Sequence, residues 1–123
     1  MLSHTERPPI VRFNNMANEQ RIQRLKEMLE KDPNDSFSRY ALALEYAGTR
    51  EFQSAIDELE EVIQKDPKYL AAFHQLGQIL GKLNRTQEAK KIYREGIDLA
   101  QELGEVKEAK EMSEELEELE DEW

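Results

Sequence analysis

The chain has 123 residues, 38% of them apolar and 36% charged, with five glycines, four prolines and no cysteine. This composition fits one folded, helix-rich domain, and it excludes a disulfide framework or a thiolate metal site. The net charge is −10, of which residues 105–123 carry −8. No cluster of cations supplies the basic face that a nucleic-acid partner requires, and no apolar run approaches the roughly 18 residues that span a bilayer. We therefore expect neither nucleic acid nor a membrane as a partner.

The N-terminal residues precede the first periodic segment of the chain. They contain charged side chains and the pair Pro8–Pro9 where a signal peptide would need an apolar stretch. We predict a mobile extension over residues 1–17 and a cytoplasmic location for the protein.

A repeat of 34 residues follows this extension. The triplet Lys-Asp-Pro occurs at residues 31–33 and again at 65–67, and each proline predicts a helix exit. The same spacing pairs Leu42 with Leu76, Gln53 with Gln87, Ala55 with Ala89, Glu61 with Glu95 and Ile63 with Ile97. A period in this range indicates stacked supersecondary units. We predict a truncated repeat at 18–35, repeat one at 36–69 and repeat two at 70–104.

Each unit contains two segments with apolar residues at helical spacing. In repeat one the first segment includes Phe37, Tyr40 and Leu44, and the second includes Ile56 and Leu59. Each unit is therefore predicted to be an antiparallel helix pair. Small residues recur where two helices would meet, at Ala43, Ala55, Gly77 and Ala89. They allow close helix approach, and larger apolar residues around them would fill the space between neighbouring pairs.

This arrangement resembles the tetratricopeptide repeat (TPR), whose pattern is W-x2-L-G-x2-Y, then A-x3-F, then P. Repeat two matches it at Phe73, Leu76, Gly77, Leu80, Ala89 and Tyr93, and repeat one at Leu42, Ala43, Tyr46, Ala55, Leu59 and Pro67. Arg39 replaces the leading aromatic residue, and Gln101 stands where repeat two should end in proline. The resemblance covers residues 19–104 and implies an all-α, right-handed superhelix whose first helices line a concave groove. A sister helical-pair repeat with the same small residues is the alternative.

The last segment, residues 105–123, is predicted to be an acidic amphipathic helix. Its apolar residues recur every three or four positions at Val106, Ala109, Met112, Leu116, Leu119 and Trp123. The other faces are almost wholly charged, as expected of a helix that caps a repeat array. The alternative is an acidic tail that binds a partner.

The family resemblance implies binding of a partner protein in the groove, without catalysis. In that frame the groove residues are Phe37, Tyr40, Leu44, Ala71, His74, Gln78 and Lys82. Such a surface suits a peptide with an apolar anchor beside an acidic or carbonyl group. Two alternatives stay open: Phe37, Tyr40 and Leu44 pack as core against the truncated repeat, or the module self-associates and the groove is incidental.

The sequence lacks the motifs typical of enzymes, cofactor sites and metal sites. No phosphate-binding glycine loop, nucleophile elbow or paired-histidine helix occurs, so we expect no enzyme activity, no cofactor and no metal site. Some members of the family grip a chaperone's C-terminal carboxylate with two lysines, an asparagine and an arginine. Tyr40 and Leu44 stand where the first of those lysines and the asparagine would be, so we do not expect that clamp here.

Overall fold

A computed structural model describes the backbone of residues 9–121 and the side chains of residues 16–121. Over that range the chain forms six α-helices and no β-strand. The helices are α1 (Pro9–Lys31), α2 (Ser36–Gly48), α3 (Phe52–Lys65), α4 (Leu70–Lys82), α5 (Thr86–Leu103) and α6 (Val106–Glu120). The most extensive interhelical contacts join α2 to α3, α4 to α5 and α5 to α6. None of these helices is both long and apolar enough to cross a bilayer.

The sequence period is visible in the backbone of the turns. Arg50 and Asn84, which are 34 residues apart, both adopt the left-handed conformation, with φ of 64° and 60°. In each turn the next residue's amide donates to a carbonyl of the preceding helix: Glu51 N to Tyr46 O at 2.8 Å and Arg85 N to Leu80 O at 2.9 Å. The two turns therefore reverse the chain in the same way, which makes α2–α3 and α4–α5 equivalent helix pairs.

Small residues lie at the helix contacts, as the sequence predicts. Ala43, Ala55 and Ala89 have no exposed surface, and Gly77 is also buried. Larger apolar side chains surround them in one continuous core, which includes Ile56, Leu59, Val62, Leu76, Leu80, Tyr93 and Met112. The core thus passes from α3 through α4 and α5 to α6, and no single helix pair buries its own apolar surface.

Arg39, at the position of the missing aromatic residue, makes polar contacts instead. Its guanidinium donates to the Glu58 carboxylate on α3 at 2.9 Å and to the Pro33 carbonyl at 3.1 Å. Only 16% of the Arg39 side chain is exposed. An ion pair therefore joins α2 to α3 where the family pattern has an aromatic contact.

The first helix begins earlier than the sequence predicts. Residues 9–17 were expected to belong to the mobile extension, but α1 already starts at Pro9. Proline is well tolerated at the first helical position because its missing N–H would have no intrahelical acceptor there. The prediction took the first periodic segment to begin after Met16, although Ile10, Phe13 and Ala17 already recur at helical spacing. Residues 1–8 lie outside the described residues.

The last helix packs on α4 and α5 with most of its predicted apolar face. Met112 is fully buried, and Ala109, Leu116 and Leu119 pack around the core. Gly96 of α5 makes room for this contact, since an ideal Cβ there would lie 2.8 Å from the Met112 sulfur. Val106 departs from the prediction because it is 78% exposed, and Trp123 lies outside the described residues.

Two substitutions in α6 test whether this helix stabilises the repeats. Met112→Ala should lower the free energy of unfolding by about 2–5 kcal/mol, since it removes a buried side chain and leaves a cavity. Val106→Ala, in the same helix but exposed, should change it by less than about 0.5 kcal/mol. Urea denaturation followed by circular dichroism measures both. Equal, small effects would mean that α6 does not cap the array in solution.

Candidate functional site

A cleft of about 400 Å³ opens between α2, α4 and α6. Its apolar lining comes from Tyr40 of α2, Leu70 and Ala71 of α4, and Leu103 at the end of α5. Its polar lining comes from His74 and Gln75 of α4 and from Glu105, Glu108 and Glu111 at the start of α6. Because α2 and α4 are the first helices of the two repeats, the cleft lies on the side where the sequence predicts the groove.

The structure brings only part of the predicted groove into this cleft. Tyr40, Ala71 and His74 line it. Gln78 and Lys82 line a neighbouring depression of about 460 Å³ together with Tyr93, Glu115, Glu118 and Leu119. These two depressions follow α4 from its first turn to its last, so the five residues lie along one helix-bounded surface.

Phe37 and Leu44 lie outside both depressions. They are 71% and 38% exposed, so they do not form the core contact with α1 that was the alternative for them. Ala41 lies between them in sequence and lines a separate depression with Leu25 and Met28 of α1. The α1–α2 contact therefore includes Ala41 but leaves Phe37 and Leu44 exposed.

The Glu115 carboxylate joins α4, α5 and α6 through three side-chain donors. His74 Nε2 lies 3.0 Å from Oε2, Gln78 Nε2 lies 3.2 Å from Oε1, and the Tyr93 hydroxyl lies 2.7 Å from Oε1. An ionised carboxylate only accepts hydrogen bonds, so the proton of the His74–Glu115 bond is on Nε2 of the imidazole. His74 and Gln78, which the sequence analysis assigns to the groove, are thus held in place by the capping helix.

The protonation of this cluster follows from its surroundings. Partial burial disfavours the charged form of Glu115, but hydrogen bonds from His74, Tyr93 and Gln78 outweigh burial and lower the pKa of its carboxyl group. Burial, followed by the Glu115 carboxylate, strongly raises the pKa of the Tyr93 hydroxyl. Glu115 is therefore an anion that accepts from a neutral phenol near neutral pH.

An aromatic pair supports the other end of the cleft. The rings of Tyr40 and Tyr69 lie 5.2 Å apart between centroids with a 43° tilt. Burial raises the pKa of the Tyr40 hydroxyl, and the nearby Tyr69 raises it further. The Tyr40 ring is therefore a neutral side chain at the wall of the cleft, packed against its neighbour.

The contribution of α6 to the cleft was not predicted from the sequence. The glutamates of that helix were expected to form a solvated surface, whereas Glu105, Glu108 and Glu111 line the cleft wall and Glu115 continues the same side. Their spacing of three, three and four residues places them on one helix face. The spacing predicts that these glutamates share one face of α6. Only the packing of α6 on α4 shows that this face borders the cleft.

The charged groups of the site do not form a metal centre. Among residues 16–121, no group of three or more histidine, aspartate or glutamate side chains is arranged to hold a metal ion. The cleft combines an apolar wall with a row of carboxylates. Such a surface can bind the side chains of an extended or helical peptide.

Comparison with known proteins identifies the family. A model described as tetratricopeptide repeat matches residues 15–100. The chain belongs to the tetratricopeptide repeat family. This TPR protein has no match among curated proteins. The prediction of the family and of an all-α helical repeat fold is therefore confirmed.

Solved structures share the fold. A TPR domain protein from Salinibacter ruber is 35% identical, with a TM-score of 0.68 over 72% of this chain and 90% of that one. The TPR2B domain of yeast Sti1, solved in a complex with pHsp70, is 18% identical, with a TM-score of 0.79 over 88% and 86% of the two chains. The first TPR of Spaghetti (RPAP3), bound to the HSP90 peptide SRMEEVD, is 20% identical, with a TM-score of 0.66 over 85% of each chain.

Glu115→Gln tests the carboxylate cluster. The variant keeps the shape of the side chain but loses the charge, so its free energy of unfolding at pH 7 should be lower by about 1–3 kcal/mol. Because folding lowers the pKa of Glu115, the carboxylate stabilises the protein fully above its usual value of 4.5. The difference in free energy of unfolding between wild type and variant should shrink as the pH falls through the lower pKa of the folded state. Denaturation at several pH values measures this difference. The control is Glu117→Gln, an exposed change in the same helix, which should leave the free energy of unfolding unchanged.

Proposed function

We propose that this TPR protein is an interaction scaffold that binds a peptide segment of a partner protein in the cleft between α2, α4 and α6. The observation that carries the proposal is the cleft itself, with an apolar wall formed by Tyr40, Leu70, Ala71 and Leu103 beside hydrogen-bonding groups. Peptide grooves of this kind obtain affinity from buried apolar anchors and orientation from a few polar contacts.

The relatives support this class of function. The Sti1 domain was solved with pHsp70 and the Spaghetti domain with an HSP90 peptide, on folds that match most of this chain. From these two domains we infer only that a segment of another protein is bound, and not the identity of that protein. We infer no catalytic activity for the scaffold, and we place it in the cytoplasm, as predicted from the sequence.

The groove residues of the proposal are those predicted from the sequence, in two unequal groups. Tyr40, Ala71 and His74 are proposed to contact the peptide in the cleft. Gln78 and Lys82 are proposed to contact it only where it continues past Glu115. Phe37 and Leu44 lie outside the cleft, and they are retained only as contacts for a ligand that extends beyond α2.

Blocking the cleft should abolish peptide binding. Peptides selected from a random twelve-residue library on the intact protein should lose at least about tenfold in affinity for Ala71→Trp, because the indole would occupy the space of an apolar anchor. Ala71 is exposed on the first turn of α4, so the variant should keep its fold. Gln64→Trp, an exposed change on α3, is the matched control and should bind normally. Binding is measured by fluorescence anisotropy, with melting curves recorded for both variants.

A second candidate function, self-association, is favoured by one exposed apolar surface. Phe37, Ala41 and Leu44 share one face of α2 by their spacing, and Ala41 adjoins Met28 of α1, which is 46% exposed. An exposed apolar patch on a folded domain often marks an interface. The surface would join two copies at the end of the array opposite α6.

Sedimentation over a concentration series separates the two functions. We expect a monomer throughout for the peptide scaffold. A dimer that Phe37→Glu dissociates would instead support self-association, because a buried unpaired carboxylate is costly at an apolar interface. Gln64→Glu provides a control of equal charge at a distant exposed site.

A further inference from the structure

The three glutamates of the cleft wall have no ion-pair partner among residues 16–121. Glu105, Glu108 and Glu111 form no ion pair within the part of the chain whose side chains the structure describes, and none of them hydrogen-bonds to another side chain there. Lys107 and Lys110, the cations of α6, do not line the cleft. Three carboxylates therefore adjoin an apolar wall without an ion pair to any cation in the described part of the chain.

Two carboxylates farther along the same helix, Glu115 and Glu120, are paired. Glu115 accepts from His74 at 3.0 Å, and Glu120 accepts from Arg94 of α5 at 2.8 Å. Both contacts help to hold α6 against its neighbours. The glutamates of the cleft wall make no such contact, although Glu108 and Glu111 are half-buried beside the cleft. Like charges three residues apart on one helix repel each other, and a bound cation would relieve that repulsion.

The apolar wall has the shape and chemistry to accept the other part of a basic side chain. Lysine and arginine carry an aliphatic stem that packs on apolar surface while the charged head stays with polar partners. Leu70, Ala71 and Leu103 supply such a surface, and the Tyr40 ring, packed against Tyr69, offers an aromatic face. Cations favour aromatic faces at short range.

We propose that the cleft selects a basic peptide segment, in which a lysine or arginine contacts the glutamates of α6 and an adjacent apolar residue packs on Leu70, Ala71 and Leu103. This inference rests on the proposed function, because it names the chemistry of the peptide in the same cleft. It reverses the ligand charge expected from the sequence, which was based on Lys82. That lysine lies in the neighbouring depression, where Glu115 and Glu118 adjoin it.

The charge of the cleft also makes acidic tails poor ligands. The peptide SRMEEVD, which binds the Spaghetti domain, contains three acidic residues. In this cleft they would face Glu105, Glu108 and Glu111, and juxtaposed like charges disfavour binding. SRMEEVD is therefore the negative probe for the experiment below.

The test begins with selection from the random twelve-residue library displayed on phage, using the intact protein. Enriched peptides should carry lysine or arginine next to an apolar residue, and the synthetic form of the most enriched peptide should bind more tightly than SRMEEVD. Its affinity should fall as salt rises from about 50 to about 300 mM, because salt screens exposed charges.

Two double variants of equal charge then locate the contact. Glu108→Gln with Glu111→Gln should weaken binding of the enriched peptide roughly 3- to 30-fold, the effect of losing two partly exposed ion pairs. Glu114→Gln with Glu117→Gln removes the same charge from exposed positions of α6 outside the cleft, and it should change affinity less than about twofold. Melting curves should show both variants folded.

The outcomes separate this inference from the proposed function. Two outcomes would overturn the charge selectivity and leave the scaffold function standing, provided that Ala71→Trp abolishes binding. In the first, the enriched peptides are acidic or neutral. In the second, their affinity is unchanged by the double substitution at Glu108 and Glu111. Equal losses in the two double variants would also overturn the charge selectivity, since they would reflect net charge alone. No enrichment, or enriched peptides that still bind Ala71→Trp, would overturn both.

Discussion

The close approach of α4 and α5 at Gly77 is the constraint from which the site follows. An ideal Cβ on Gly77 would lie 3.0 Å from the ring of Tyr93, so any larger residue would push that ring away from α4. With its ring buried there, Tyr93 directs its hydroxyl to the Glu115 carboxylate at 2.7 Å. A contact between two helices of one repeat thereby fixes the position of the helix that follows the repeat.

Glu115 gives α6 two roles at once. The apolar side of α6, centred on the buried Met112, covers the core, while Glu115 beside it is held by donors from α4 and α5. Burial of a carboxylate is tolerated here because three donors satisfy it. A cap held only by apolar contacts could rotate or slide along the array. The polar contacts fix its register, which determines that Glu108 and Glu111 reach the cleft.

The cleft is consequently a composite of the repeat and its cap. Tyr40 and Ala71 come from the first helices of the two repeats, and their positions follow from the 34-residue period. The glutamates come from a helix that is not part of either repeat. A shared fold with the Sti1 and Spaghetti domains does not carry a shared ligand charge, because side chains set the charge of a cleft and those chains are only 18% and 20% identical to this one.

The sequence by itself determined the repeat, the helix pairs, the small residues at their contacts and the amphipathic last helix. These features are encoded locally, by proline at helix exits and by apolar residues at helical spacing, so they are readable without tertiary contacts. It also named Tyr40, Ala71 and His74 as groove residues. Only the tertiary structure decided that Phe37 lies outside the cleft and that carboxylates of α6 form a cleft wall. Those outcomes depend on which face of one helix meets another, and a solvated charge and a charge beside a cleft have the same sequence pattern.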